Sequence, residues 1–371
     1  MSARLPAALQ DAVSRLAGDV APKELAARSA SLTQRYRGGA DSHVAVRDDR
    51  DVAAYLTARL PATYAAMAAA LDAVKKRAPR FAPKRVLDAG AGPGTASWAA
   101  GEIWPELESI TMLDSNPHLL AAARTLARAS PHPSLSTAHF ISADLTAPIA
   151  ASSAPTFLLP SPLEGSRADQ RQRSCRRPER ARALRSSAWR AEGGSGSTWH
   201  YDLILAGYAF AELPADTRDR ALANLWNSCR GVLVIVEPGT PVGFATVLAC
   251  RTALLAAGAR LVAPCPAAYP CPILPPDWCH FAERLPRSRA HMRAKAAHVP
   301  FEDEKFSYVA VAREGIELGP IEARIIARPH ASKPGIRLRL CTEARIVERT
   351  VLKRDKQAYK SVARKTWGDS L

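Results

Sequence analysis

The chain has 371 residues, 47% of them hydrophobic, enough to bury a full core in two or three structural units and too apolar for a disordered or fibrous protein. Lys and Arg number 51 against 35 Asp and Glu, a formal charge of +16 that favours a polyanionic partner such as nucleic acid or an anionic membrane surface. No run approaches the roughly 20 apolar residues that a membrane-crossing helix requires, so insertion into a bilayer is not expected.

The opening MSARLPAALQDAVSRLAGDVAPKEL carries Asp11, Asp19 and Glu24 and has no continuous apolar core. It reads as a helix rather than a secretory signal or an acid-poor transit peptide. Apolar residues at helical spacing in LPAALQDAVSRLAG and VAAYLTARLPATYAAMAAALDAV predict a helical N-terminal domain over 1–80. From Arg85 the pattern changes to short apolar runs, RVLDAG, SITMLDS, HFISADL, YDLILAGY, GVLVIVEP and FSYVAVA, alternating with helical segments. That alternation predicts an α/β domain over 81–316, with a largely parallel sheet covered by helices on both faces. Residues 146–200 interrupt it. Between 151 and 200 stand nine Arg against four acids with no apolar period, which predicts a disordered insertion in a surface loop. Residues 317–371 form a basic, β-rich C-terminal extension, with thirteen basic against five acidic residues from 321 onward.

Within RVLDAGAGPGTASW, Asp88, Gly90, Gly92 and Gly94 stand where an apolar strand meets a helix. Glycines there let the backbone turn tightly and approach a ligand, and the following helix offers free N–H groups to a carboxylate or phosphate. A dinucleotide fingerprint counted from Gly90 needs a third glycine at position 95, which is Thr95, so NAD is the weaker reading. The tighter D-x-G-x-G-x-G spacing resembles the first motif of class I S-adenosylmethionine methyltransferases. That resemblance implies a Rossmann-like sheet with S-adenosylmethionine over the loop. It also implies that Asp114, in TMLDSN, holds the ribose hydroxyls and that Asp144, in FISADL, reaches the adenine amine.

After the fourth strand, AGYAFAEL lacks the Asn/Asp-Pro-Pro-aromatic loop with which enzymes methylating exocyclic amines hold their target. Glu212 is the nearest candidate base, and it equally suits the first turn of a helix, where the dipole favours an acid. The catalytic residues stay unassigned.

Seven cysteines in a chain without an export signal argue for metal or catalysis rather than disulfides. Cys229 and Cys250 sit in apolar settings and read as buried thiols. Cys265, Cys271 and Cys279 are spaced C-x5-C-x7-C, and Cys341 is the one cysteine downstream. Zinc sites usually draw on tighter C-x2-4-C knuckles, whereas wide loops bounded by Pro266 and Pro272 suit an iron–sulfur cluster; zinc remains the alternative.

The segments LTQRYR (Leu32 to Arg37), DAGAGPG, APCPAAYPCPILPPDWCHF, FEDEKFSYVAVA and ARKTWGD together resemble the family of mitochondrial-type small ribosomal subunit methyltransferase-like proteins, which has bacterial members. Apart from the insertion, the resemblance covers nearly the whole chain. It implies a role in small ribosomal subunit assembly with rRNA as partner, and an iron–sulfur cluster, of the 4Fe-4S type, on Cys265, Cys271, Cys279 and Cys341. The implied compartment is the cytoplasm in a bacterium and the mitochondrial matrix in a eukaryote. Methyl transfer itself is left open.

Overall fold

The computed structural model describes residues 4–18, 20–37, 42–147, 200–268 and 270–371; most of the expected insertion at 146–200 lies outside the described residues. The N-terminal helices are α1 (Ala7–Ala17), α2 (Pro22–Arg37), α3 (Ser42–Ala45), α4 (Asp49–Ala58) and α5 (Leu60–Arg77). The sheet region continues with β1 (Arg85–Ala89), α6 (Thr95–Ile103), β2 (Ser109–Asp114), α7 (Pro117–Arg128), α8 (Pro133–Ser136) and β3 (His139–Ser142). It resumes with β4 (Tyr201–Gly207), a 3-10 turn at Phe210–Glu212, α9 (Ala215–Ser228), β5 (Cys229–Pro238), α10 (Pro241–Ala256) and β6 (Arg260–Ala263). Then come β7 (Phe281–Pro286), α11 (Arg289–Ala294) and β8 (Phe301–Ala312). The C-terminal extension holds β9 (Ala323–Ile325), β10 (His330–Ala331), β11 (Gly335–Thr342), β12 (Ile346–Leu352) and α12 (Lys356–Val362).

The main sheet runs in the order β3-β2-β1-β4-β5-β8-β6, and β7 also pairs with β8. Strands β3, β2, β1, β4 and β5 are parallel, and β8 is antiparallel to both β5 and β6. The apolar runs are continuous because both faces are covered. In β5, Val232, Val234 and Val236 enter one core with Met67, Leu71 and Trp98, while Leu233 and Ile235 enter another with Leu225, Trp226 and Leu254. The strand order reverses between β1 and β4, which opens a crevice at the carboxyl ends of these strands, where ligands bind in open α/β sheets. The glycine loop follows β1 and lies at that point.

The helical lead-in shares the first of these cores, with Leu9, Leu32, Leu56 and Tyr64 in one cluster with Val86 and Ile110 of the sheet. A buried charge knot fixes its inner turn. Asp51, 1% exposed, accepts from Arg28 Nη1 at 2.9 Å and from Arg35 Nη1 at 2.9 Å, while Asp48 caps α4 through the Asp51 N–H at 2.8 Å. Arg35 also donates to the Ala45 carbonyl. LTQRYR is thereby accounted for: Leu32 packs in the core, Arg35 holds Asp51, and the Tyr36 ring lies 4.1 Å from the Arg59 guanidinium carbon.

The extension builds a smaller core of its own from Ala323, Ile325, Ile336, Leu338, Leu340, Val351 and Val362. Its closing residues pair with β9, since Leu371 N–H donates to the Ala323 carbonyl and Gly368 N–H to that of Ile325, both at 2.9 Å. Among the described residues no helix is long and apolar enough to cross a membrane.

Candidate functional site

The loop after β1 adopts a conformation that only glycines hold without strain. Gly90, Gly92 and Gly94 have φ of +71°, +53° and +82°. A Cβ on Gly90 would lie 2.7 Å from Ala209 Cβ, so this glycine permits close packing against the β4 exit. A Cβ on Gly92 would meet nothing within 4 Å among the described residues other than its chain neighbours. The space above Gly92 is open to a ligand.

Both acids at the ends of β1 and β2 support the loop. Asp88 is buried, and its Oδ2 accepts from Ser97 N–H at 2.9 Å and Ser97 Oγ at 2.7 Å, which ties β1 to the first turn of α6. Burial pushes its carboxyl up to about 6. Asp114 Oδ2 accepts from Gly92 N–H at 2.7 Å and Oδ1 from Asn116 N–H at 2.7 Å. Asp114 is 6% exposed and is not among the residues that line the pocket at this loop.

One pocket at this loop is lined by Asp88, Gly90, Gly92 and Thr95, with Tyr208 from the β4 exit. Thr95 is 7% exposed and its Oγ1 has no hydrogen-bond partner among the described residues. An orphaned buried hydroxyl beside an open glycine is what a polar cofactor fits. Asp144 is exposed and stands outside the lining; its Oδ1 accepts from Thr146 N–H at 2.7 Å, a bond that holds its carboxyl below the usual range.

The pocket also contains residues the sequence reading did not assign. Tyr55 of α4 and Thr63 and Met67 of α5 cover it from the helical lead-in, and Asn116 Nδ2 donates to the Val46 carbonyl at 2.9 Å. Tyr208, at φ +61°, occupies the place after β4 where the Asn/Asp loop would begin, and its hydroxyl donates to Glu304 at 2.8 Å. Glu212 lies on the 3-10 turn that follows, close enough for its charge to act on Tyr36 and Tyr55.

Glu237, at the end of β5, is fully buried, and its Oε1 accepts from Phe210 N–H at 2.8 Å. Burial pushes its carboxyl from 4.5 up to about 8. The folded state therefore keeps a proton that the unfolded chain releases, and stability falls as pH rises from about 4.5 to about 8. Glu237→Gln should remove that loss. The urea midpoint of the wild type is expected to drop across this window relative to the variant, and parallel profiles would refute the assignment.

The second cavity gathers all four cysteines of the sequence pattern. Cys265, Cys271 and Cys279 from the β6–β7 connection and Cys341 from β11 line it together with Arg251, Tyr308 and Arg324. Residues after Cys279 and before the chain end hold the loop. Ser307 Oγ donates to the Cys279 carbonyl at 2.7 Å, and Trp278 Nε1 donates to the Gly239 carbonyl at 3.0 Å. His280 stacks on Trp278 at 5.2 Å and meets Trp367 edge-on at 5.0 Å. Arg339 of β11 pairs with Asp277 at 2.6 Å. The segments FEDEKFSY and ARKTWGD thus both serve this loop.

Burial holds Cys265 and Cys279 above the usual thiol range, with the neighbouring thiols adding to the effect on Cys279, and pushes Cys341 up to about 12. Among the described residues no group of three or more His, Cys, Asp and Glu is placed to hold a metal ion. The ligand set expected from the sequence is therefore gathered around one cavity but not closed on a point. Protonated thiols have no mutual attraction, and deprotonation around a cation is what draws such ligands together. Four thiols on one cavity fit an iron–sulfur cluster as a donor set. Cys229 and Cys250 are buried elsewhere, both pushed up to about 12, as suits inert core thiols.

The strand order, with antiparallel β8 inserted between β5 and β6, and the glycine loop at the switch point define a class I S-adenosylmethionine methyltransferase fold. Residues 49–150 and 166–371 match the family model of the mitochondrial small ribosomal subunit protein Rsm22, and the chain belongs to that family. It is 24% identical over 342 residues to the human mitochondrial ribosome assembly protein METTL17, an alignment covering 85% of this chain and 61% of that relative. The chain thus matches less than two thirds of its length.

Among solved structures, a TehB-like S-adenosylmethionine-dependent methyltransferase from Corynebacterium glutamicum is 16% identical at a TM-score of 0.34, covering 78% of this chain and 99% of its own. Magnesium protoporphyrin IX methyltransferase from Synechocystis, with bound S-adenosylhomocysteine, is 12% identical at 0.36, covering 76% and 94%. The class assignment rests on the strand order and the loop, not on these overlaps.

Proposed function

We propose that this chain is a small ribosomal subunit assembly factor that binds small-subunit rRNA, holds S-adenosylmethionine at the glycine loop, and carries a 4Fe-4S cluster on Cys265, Cys271, Cys279 and Cys341. The observation that carries this reading is the single cavity on which all four cysteines meet. Three of them come from the sheet domain and one from the basic extension, so a cluster there would bind the extension to the sheet and make metal part of the fold. The small-subunit part of this reading is supported by the family's description and the assembly part by the name of the human relative, a ribosome assembly protein. In a bacterium the protein would work in the cytoplasm, and in a eukaryote in the mitochondrial matrix.

The cofactor would lie over Gly92, with Asp114 at the ribose and Thr95 Oγ1 as a polar partner. S-adenosylmethionine supplies an already activated methyl group, so in a transferase the protein's part would be positioning. The preserved glycine cradle favours that second reading, an rRNA methyltransferase. Tyr208, engaged with Glu304 where a target-holding Asn or Asp would stand, favours an assembly role without transfer.

Not all of the basic extension is available to RNA. Arg324 is buried, Arg339 pairs with Asp277 and Arg349 with Glu322. Lys353, Arg354, Lys356, Lys360 and Arg364 are exposed and without ion pairs among the described residues, while Lys365 donates to the Ser370 carbonyl at 3.0 Å. If those five meet phosphates, the log of affinity for a small-subunit rRNA fragment should fall with log salt at a slope of roughly −4. Filter binding across a salt series reads it, and an affinity indifferent to salt would remove rRNA from the proposal.

A further inference from the structure

Two arginines on the cysteine cavity have no role in forming either core. Arg324 stands on β9, 4% exposed, between the buried Ala323 and Ile325. Its Nε donates to the Pro264 carbonyl and its Nη1 to the Gly368 carbonyl, both at 2.8 Å, and among the described residues no carboxylate pairs with it. Carbonyl dipoles orient a guanidinium but do not neutralise it, and a buried charge without a counter-charge is costly. Arg251 enters the cavity from α10, 5% exposed, as the lone charge of the helix PVGFATVLACRTALLA, with Nη2 donating to the Ala267 carbonyl at 3.2 Å. The ionisable groups that share the cavity with both arginines are Cys265, Cys271, Cys279 and Cys341, the Tyr308 phenol and one carboxylate, Glu343, which is exposed and forms no ion pair with Arg324 among the described residues.

We infer that Arg324, assisted by Arg251, is the built-in counter-charge of the four-thiolate cluster, setting its reduction potential rather than ligating it. This rests on the cluster reading above. A four-thiolate iron–sulfur cluster carries net negative charge, and that charge, burial and hydrogen bonds to sulfur set how readily it takes an electron. A fixed cation at the cavity wall favours the reduced, more negative form. Both arginines are therefore positioning residues, and their effect is electrostatic.

The test is the midpoint potential of the full chain, purified without oxygen, reconstituted with ferrous iron and sulfide, and titrated by spectroelectrochemistry. Arg324→Gln keeps an amide donor for the Pro264 carbonyl and removes the charge, whereas Arg324→Lys keeps the charge. The glutamine variant should lower the one-electron reduction equilibrium constant about tenfold, a potential about 59 mV more negative, and the lysine variant should stay near wild type. Wild-type iron and sulfide content with an unmoved potential in Arg324→Gln would overturn the inference. So would equal shifts in the two variants, which would mean that Arg324 only braces the loop. Should Arg324→Gln fail to fold by circular dichroism, Arg251→Gln reads the same field from α10, with the same expected direction and the same refutation. A wild-type chain that takes up no iron and sulfide would instead defeat the cluster reading, and this inference with it.

Discussion

Replacing Asp51 with Asn should lower the unfolding free energy by about 3 to 5 kcal/mol, the usual cost of removing one partner from a buried ion pair. The side chain is 2% exposed and both oxygens are engaged, Oδ1 by Arg28 and Oδ2 by Arg35, each at 2.9 Å. The asparagine has nearly the same shape, so packing is kept. What is lost is the negative charge that Arg35 faces, and one of three around Arg28, which also pairs with Asp48 at 2.8 Å and Glu24 at 3.1 Å. Asp49, two residues away, provides the control. It is 95% exposed and meets His118 at 3.3 Å, so Asp49→Asn should shift stability by no more than about 0.5 kcal/mol. Urea unfolding followed by tryptophan fluorescence compares the two. Equal small effects would show that the knot is not what fixes the helical lead-in. Because α4 and α5 also cover the glycine-loop pocket, weaker cofactor binding should accompany the loss in Asp51→Asn.

Gly92→Arg should abolish cofactor binding while leaving the fold in place. With φ at +53° a side chain at this position costs about 1 to 2 kcal/mol in backbone strain. Among the described residues, leaving aside its chain neighbours, no atom lies within 4 Å of a Cβ placed at this position, so the first atom of a side chain fits there. A ligand drawn over the loop would meet the new side chain directly. Calorimetric titration with S-adenosylhomocysteine should show affinity weakened by at least about 100-fold, equivalent to roughly 3 kcal/mol. Wild-type affinity would mean that the pocket at Gly92 is not the cofactor site. The same variant separates the two functional readings. If small-subunit assembly proceeds normally in cells carrying it, methyl transfer is not the essential role; if assembly fails while the protein remains folded, the cofactor is required.

The parts legible in the sequence were those where chemistry is local. DAGAGPG between an apolar strand and a helix dictates its own backbone, and the alternating cores of β5 follow from VLVIV once helices cover both faces. The cysteine run and Cys341, seventy residues beyond Cys271, line one cavity, but among the described residues they form no group placed to hold a metal ion. What stayed hidden depends on where distant segments land. Tyr55, Thr63 and Met67 read as ordinary members of amphipathic helices, and only the packing of α4 and α5 on the sheet brings them to the glycine loop. Arg324 was counted among the basic residues of the extension, although an arginine flanked by buried Ala323 and Ile325 at the sheet seam is not a surface charge. Arg251 carried a clearer sign, a single cation in an otherwise apolar helix. The acid after β3, Asp144, fits the motif by position, yet its carboxylate folds back onto Thr146 because a two-residue turn satisfies it first.

On the proposed reading, the four cysteines form one metal site that joins the extension to the sheet. The most direct measurement is the visible absorption of protein purified without oxygen, with iron, sulfide and zinc content, beside Cys271→Ser. Broad absorption near roughly 400 nm from thiolate-to-iron charge transfer is expected, with stoichiometric iron and sulfide, and the loss of both in the variant. Colourless protein containing zinc would keep a structural site and contradict the cluster, and protein with no metal at all would reduce the four cysteines to core thiols and contradict any metal site there.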